Sequence, residues 1–202
     1  MADWDAKYAA APEGLFGTAP NEYLRGVVAR SDFGPRSALC LADGDGRNSR
    51  FLASRGLAVT AVDISRVGTE NAQRLDHGAG VVVERIVADL EHWEPQSASS
   101  WDAVFLFYLQ APWPTRRAAL DTGWRVLGAG GWLVFEGFGV GDAGEEGVLG
   151  PQPEDLRYRL AECLDRLSGA VIVEALEGQI GLAEGSRHKG LAKVMRLAVR
   201  KP

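Results

Sequence analysis

SALCLADGDGRNSRFLASRGLAVTAVD, residues 37–63, decides the fold. SALCLA (37–42) is apolar and of strand length, and the turn Asp43-Gly44-Asp45-Gly46 follows it. A helix over 46–56 stops at Gly56, and AVTAVD (58–63) is a second strand that ends in an acid. Strand, glycine turn, helix and strand make one β-α-β unit, whose two strands lie parallel. Gly44 and Gly46 let the main chain take φ values that other residues resist and approach a ligand closely.

The same rhythm continues along the chain. A polar helix covers 65–76, VVVERIVADL (81–90) is a third strand and WDAVFLFYL (101–109) a fourth. The segment 115–127 places Leu120, Trp124 and Leu127 on one helical face, and GWLVFEGF (131–138) is a fifth strand. Leu156, Leu160, Cys163 and Leu167 share a face, which predicts a helix over 153–167. AVIVEAL (170–176) and GLAKVMRLAVR (190–200) are strands with no helix between them, so they are expected to pair antiparallel. The expectation is an α/β fold in three layers: a doubly wound sheet, mostly parallel, with one antiparallel C-terminal strand. One domain spans 1–202, with a helical leader over 1–30 and the core over 37–202. Lys193, Arg196, Arg200 and Lys201 on the last strand read as charges on an exposed sheet edge.

Composition narrows the function classes. The chain has 202 residues, 46% hydrophobic and 24% charged, the balance of a globular domain. Its net charge of −5 argues against nucleic-acid binding, which rests on clustered Lys and Arg. The start MADWDAKYAA has no apolar core and does not read as a signal peptide. The longest apolar run, Ala103 to Leu109, is far short of the ~20 residues that span a bilayer. A cytoplasmic protein with no membrane partner is expected. Cys40 and Cys163 are the only cysteines, so no disulfide framework and no metal site follow.

In a doubly wound sheet, ligands bind beyond the carboxyl ends of the strands. Asp63 ends the second strand nineteen residues after Gly44, where an acid can accept both ribose hydroxyls, and Asp89 ends the third. Each acid alone reads equally well as a helix cap. Together with the glycine turn, in strand order, they favour a nucleotide site. A dinucleotide turn would carry a third glycine where Ser49 stands, and Asp43 and Asp45 would repel a pyrophosphate. The same carboxylates attract ammonium and sulfonium charge, which favours S-adenosylmethionine over a nicotinamide dinucleotide.

Three stretches carry a family resemblance: GRNSRFLASRGLAVTAVDIS (46–65), the leader WDAKYAAAPEGLFGTAPNEYL (4–24) and the ending EGSRHKGLAKVMRLAVRK (184–201). Through them essentially the whole chain resembles the class I S-adenosylmethionine-dependent methyltransferases. Within these it is similar to the small bacterial group related to the tellurite-resistance and thiopurine methyltransferases. The resemblance implies a Rossmann-like core, S-adenosylmethionine as cofactor, and methyl transfer to a small-molecule acceptor by in-line displacement. It also implies that Ala42 to Gly46 (Ala42, Asp43, Gly44, Asp45 and Gly46) line the methionine part of the cofactor. Asp63 would hold the ribose with Ile64 against the adenine, and Asp89 would accept the adenine amino group with Leu90 beside it. Phe107 would offer main chain to the cofactor's amino end. Arg47 and Asn48, at the helix start, count with the cofactor site, and Arg47 can reach the methionine carboxylate or the acceptor, or form a surface ion pair. The family commonly reads D-x-G-x-G-x-G, and here Cys40 stands in place of the acid and Ala42 in place of the first glycine. Asp43 is expected to take over the ammonium contact.

The acceptor side is less specific. The leader carries Trp4, Tyr8, Phe16 and Tyr23, of which Tyr8 and Phe16 are the candidates for an aromatic lid over the sulfonium. Each aromatic alone reads as core packing. In YLQAPWPTRR (108–117), Tyr108 and Trp113 are candidate walls of the acceptor pocket. His188, between Arg187 and Lys189 in the loop joining the last strands, can orient or deprotonate an acceptor. A small-molecule acceptor and a monomer or homodimer are expected.

Overall fold

The structure, a computed structural model, describes residues 3–96, 100–141, 148–184 and 188–202. The leader folds as α1 (Trp4–Ala9) and α2 (Glu22–Val28). The core follows as β1 (Ser37–Leu41), α3 (Arg47–Ser54), β2 (Ala58–Asp63), α4 (Arg66–Ala79), β3 (Glu84–Val87) and β4 (Trp101–Phe107). Then come α5 (Trp113–Val126), β5 (Leu127–Phe138), a 3-10 turn (Glu154–Leu156), α6 (Leu160–Leu164), β6 (Val171–Glu184) and β7 (His188–Arg200).

All seven strands form one sheet in the order β3-β2-β1-β4-β5-β7-β6. β1 to β5 pair in parallel, and β7 runs antiparallel to β5 and β6. Alternation along β1 sorts its side chains between two cores. Leu39 and Leu41 join Val104, Leu106, Leu133 and Phe135 beneath α5 and α6. Ala38 and Cys40 join Val59, Phe105 and Val134 beneath α2 and α3, against Leu24 and Leu52. Burial on both faces is what continuous apolar strands require. Because β1 sends its connection to one side and β4 lies on the other, the sheet has its switch point between them.

Four local expectations change. The helix expected over 153–167 is broken: Arg157 is extended, and Tyr158 bridges to Gly139, with Val140 N–H donating to the Tyr158 carbonyl. Buried Arg157 holds that break by donating to the carbonyls of Pro151 and Gly139. Leu160, Cys163 and Leu167 still pack in the core, so the helical face was real but its first turn was not. The third strand starts at Glu84 and not at Val81, because Gly80 ends α4 at φ 67° and Val81 N–H returns to the Asp76 carbonyl. Residues 177–184, expected as link, extend β6, where Ile180 and Leu182 keep the alternation. Finally, β7 lies inside the sheet and β6 forms its edge. The basic residues of β7 serve interior groups: Arg196 pairs with Glu136, and Arg200 donates to the Gly130 carbonyl. Lys201 caps α5 through the Trp124 and Leu127 carbonyls.

Candidate active site

The turn after β1 is built from positive φ angles: 54° at Ala42, 61° at Gly44 and 80° at Gly46. For Ala42 the left-handed conformation costs roughly 1–2 kcal/mol. The two glycines are required by crowding as well. A Cβ on Gly44 would strike the hydroxyl of Tyr8, and one on Gly46 would strike the Arg85 guanidinium. Asp63 ties the turn to β2, with Oδ2 accepting from Gly44 N–H and Oδ1 from Ser65 N–H, both at 2.8 Å. Burial is the main reason its carboxyl is pushed up to about 6.

Asp43, expected at the ammonium group, is engaged by partners within the protein. Its Oδ2 accepts from Arg85 Nη1 at 3.0 Å and from the Ser49 hydroxyl, and its Oδ1 accepts from Ser49 N–H at 3.3 Å. Arg85 in turn donates to Asp76 at 2.7 Å, and Asp76 meets Arg50. This buried network fastens the start of α3 to β3 and α4. Ser49, which would have crowded a dinucleotide turn, is fully buried and part of it.

A cavity of about 410 Å³ opens over the carboxyl ends of the strands. Ile64, Asp89 and Leu90 line its β2–β3 side. Ala42, Asp43, Asp45, Arg47, Asn48 and Asp63 line the middle. Phe107, Tyr108, Gln110, Leu156 and His188 line the β4–β7 side, and Trp4, Lys7, Tyr8 and Phe16 of the leader complete it. Asp89 also closes the turn that follows it, accepting from Glu91 N–H, so the cap and the cavity wall are one side chain. Gly44 and Gly46 shape the turn without walling the cavity. Trp113 lies off it: the ring packs against the main core, with the Arg116 guanidinium 5.4 Å from its centroid. The spacing at 108–117 gave no way to tell which aromatic turns inward. Trp4, Lys7 and Leu156 join the walls unforeseen, and Asp45 walls the cavity with the rest of the turn. Trp4 could have been found, since it precedes Tyr8 by one helical turn and the rings stack at 6.0 Å.

Several contacts along its length fasten the leader. Asp5 accepts from the Ser65 hydroxyl and from Val67 N–H at the start of α4. Leu15 N–H donates to Asp45 Oδ2 at 2.7 Å. Fully buried Asn21 donates through Nδ2 to Glu136 at 2.8 Å and Glu184 at 3.0 Å, and its N–H donates to Asn48. Arg47 completes this latch, with Nη2 at 3.1 Å from Glu184 and Nη1 donating to the Ala19 carbonyl. It is therefore a buried ion pair on the cavity wall.

His188, at the start of β7, sits among rings: Tyr108 at 4.4 Å, Phe16 at 5.2 Å and Phe138 at 5.6 Å between centroids. Burial, aided by Arg47, lowers its pKa to about 4, so the ring is neutral near pH 7. Its Nδ1 is buried without a hydrogen-bond partner. Tyr108 holds φ at 53° while its N–H donates to the Glu136 carbonyl at 2.7 Å, a strained position of the kind that gathers at working sites. Arg187 lies outside the described residues, and Lys189 is exposed on β7.

The fold has counterparts among known proteins. Residues 39–135 match a family of methyltransferase domains. No curated protein matches by sequence. Among solved structures, TehB from Haemophilus influenzae superposes with a TM-score of 0.77 at 15% identity, covering 98% of this chain and 67% of TehB. The N-methyltransferase NodS from Bradyrhizobium japonicum, in complex with S-adenosyl-L-homocysteine, gives 0.67 at 15% identity, covering 98% and 96%. Magnesium protoporphyrin IX methyltransferase from Synechocystis PCC 6803, with S-adenosylmethionine bound, gives 0.59 at 18% identity, covering 89% and 76%. The fold is that of the class I S-adenosylmethionine-dependent methyltransferases, and residues 39–135 carry the methyltransferase-domain match. Within that class its fold is similar to that of TehB. No helix among the described residues is long and apolar enough to cross a membrane.

Proposed function

We propose that this enzyme methylates a small-molecule acceptor held at the β4–β7 side of the cavity. One observation carries the reading: a single cavity of about 410 Å³, partly roofed by the leader, runs from Asp89 to His188. That volume is of the size that takes a small ligand. A long polymer would have to displace Tyr8, which is 5% exposed.

The residues fit the cofactor. Asp63 keeps lone pairs on both oxygens for ribose hydroxyls, Ile64 and Leu90 offer apolar surface to the adenine, and Asp89 an acceptor for its amino group. Ala42 to Gly46 pass the methionine part, Arg47 and Asn48 wall it, and the main chain at Phe107 lies across from the turn. When bound, S-adenosylmethionine supplies a methyl group already activated on sulfonium sulfur. The protein's task is then to align the acceptor and exclude water. Tyr8 and Phe16 close the leader side, where their ring faces favour positive charge. His188, neutral above about pH 4, accepts a hydrogen bond from a protonated acceptor and orients it. With so low a pKa it is a weak base, so it positions the acceptor more than it stores the proton.

The reading is tested by screening thiols, oxyanions, halides and small amines for S-adenosyl-L-homocysteine release. Turnover with one of them and none with peptides or RNA is expected. Turnover confined to a macromolecule would overturn the proposal.

A further inference from the structure

The family pattern places an acid where this chain has Cys40. Cys40 is buried in the core beneath α2 and α3, and burial raises its thiol pKa, so it presents no charge to the cavity. Two carboxylates remain in the turn. Asp43 has both oxygens occupied, and Arg85 neutralises it at 3.0 Å.

Asp45 differs in each respect. It walls the cavity, and its Oδ2 accepts from Leu15 N–H. Its Oδ1 has no partner among the described residues. No cation among the described residues pairs with it: Arg47 is taken by Glu184, and Arg50 by Asp76 while touching only the Asp45 carbonyl. At 3% exposure, a carboxylate without a counter-charge is costly unless a ligand brings the cation. The other acids on the walls without an Arg or Lys partner sit elsewhere. Asp63 is bound to Gly44 and Ser65 at the end of β2, and Asp89 lies beyond it at the end of β3.

Resting on the S-adenosylmethionine reading, we infer that Asp45, and not Asp43, receives the ammonium group of the cofactor's methionine moiety. The charge displaced from position 40 has moved into the turn, and Arg85 holds Asp43 out of its way. One oxygen of Asp45 takes the ligand's ammonium while the other holds the leader at Leu15. Ammonium binding and closure of the leader therefore meet at one carboxylate.

Calorimetry with two probes separates the possibilities. S-Adenosyl-L-homocysteine carries the ammonium; 5′-methylthioadenosine keeps the adenine, ribose and sulfur but lacks the amino-acid end. Asp45→Asn retains an oxygen for Leu15 N–H and removes the charge. It is expected to weaken homocysteine-conjugate binding about ten-fold or more and leave methylthioadenosine within about two-fold. Asp43→Asn, which unpairs Arg85, is expected to lower the melting temperature and shift both ligands together. Equal weakening of both probes by Asp45→Asn would reduce Asp45 to a leader tether and overturn the inference. So would selective loss of the homocysteine conjugate in Asp43→Asn. If the wild-type protein binds neither probe, the cofactor assignment itself falls and this inference with it.

Discussion

The two ends of the cavity are built on opposite principles. On the β1–β3 side the walls are charged, and the acids are fixed by main-chain donors: Asp63 by Gly44 and Ser65, Asp89 by Glu91, Asp45 by Leu15. On the β4–β7 side no carboxylate among the described residues lines the cavity, and His188 lies neutral among Tyr108, Phe16 and Phe138. Glu136 and Glu184 come near that side but are held by Asn21, Arg47 and Arg196. A cofactor with fixed hydroxyls, amines and a cation is recognised by fixed polar atoms. An acceptor that must approach a cationic sulfur is served by a dry wall that does not compete for it. If that division is real, substitutions on one side change affinity and those on the other change turnover.

The largest expected effect is on the acceptor side. His188→Ala should lower turnover of whichever acceptor the screen finds on the order of 100-fold, with S-adenosyl-L-homocysteine affinity within about two-fold by calorimetry. If affinity falls along with turnover, the ring is supporting the whole cavity and the two ends are not separable.

On the cofactor side, Asp63→Ala removes the carboxylate proposed to meet the ribose and also the anchor of Gly44. Affinity for S-adenosyl-L-homocysteine should drop ten-fold or more, about 1.4 kcal/mol per decade, with the far-ultraviolet circular dichroism unchanged. Unchanged affinity would leave Asp63 only its bonds to Gly44 and Ser65.

The same residue makes binding depend on pH, and the sign follows from its pKa of about 6. The ionised carboxylate accepts the ribose hydroxyls, so affinity for 5′-methylthioadenosine should be level above pH 7 and fall as pH drops through about 6. Asp63→Asn should flatten that profile. Stability runs the other way. Raised from 3.8, this group contributes stability that is full below pH 3.8 and is lost as pH rises through about 6. A ligand that engages the carboxylate offsets this loss. A wild-type profile that stays level down to pH 5 would put the ionised form of Asp63 outside the site.

What the sequence shows and what it hides follow the same division. β2 is legible to the residue at 58–63, because a parallel strand buried on both faces is an unbroken apolar run that ends where its acid begins. That Asp63, Ile64, Asp89 and Leu90 line one cavity is legible because strand ends recur at fixed places in a doubly wound sheet. The roles of Asp43 and Asp45 are not. Both are acids in one turn, and only the distant Arg85 on β3 decides which of them is neutralised. Trp113 and Tyr108 are likewise two aromatics of one loop, and the φ of 53° at Tyr108 redirects its ring. The break at Arg157 depends on carbonyls at 139 and 151 that no helical periodicity can reveal.

The smallest effect concerns Ala42, and it tests whether the cofactor turn is under strain. At φ 54° an alanine sits where glycine would rest freely, at a cost of roughly 1–2 kcal/mol. Ala42→Gly relieves that cost but gives the unfolded chain more freedom, worth about 0.4–1 kcal/mol in the opposite direction. The methyl also touches the edge of the main core, so a little packing is lost. The net expectation is a gain of less than about 1 kcal/mol, a rise of no more than roughly 2–4 °C in melting temperature for a chain of this length. Gly44→Ala is the counter-experiment on the same turn. There the added methyl must meet the Tyr8 hydroxyl as well as a φ of 61°, so stability and S-adenosyl-L-homocysteine affinity should both fall. If Ala42→Gly instead lowers the melting temperature while Gly44→Ala is harmless, strain is not what distinguishes the two positions. The contact with the leader at Tyr8 would then be looser than the crowding over Gly44 implies.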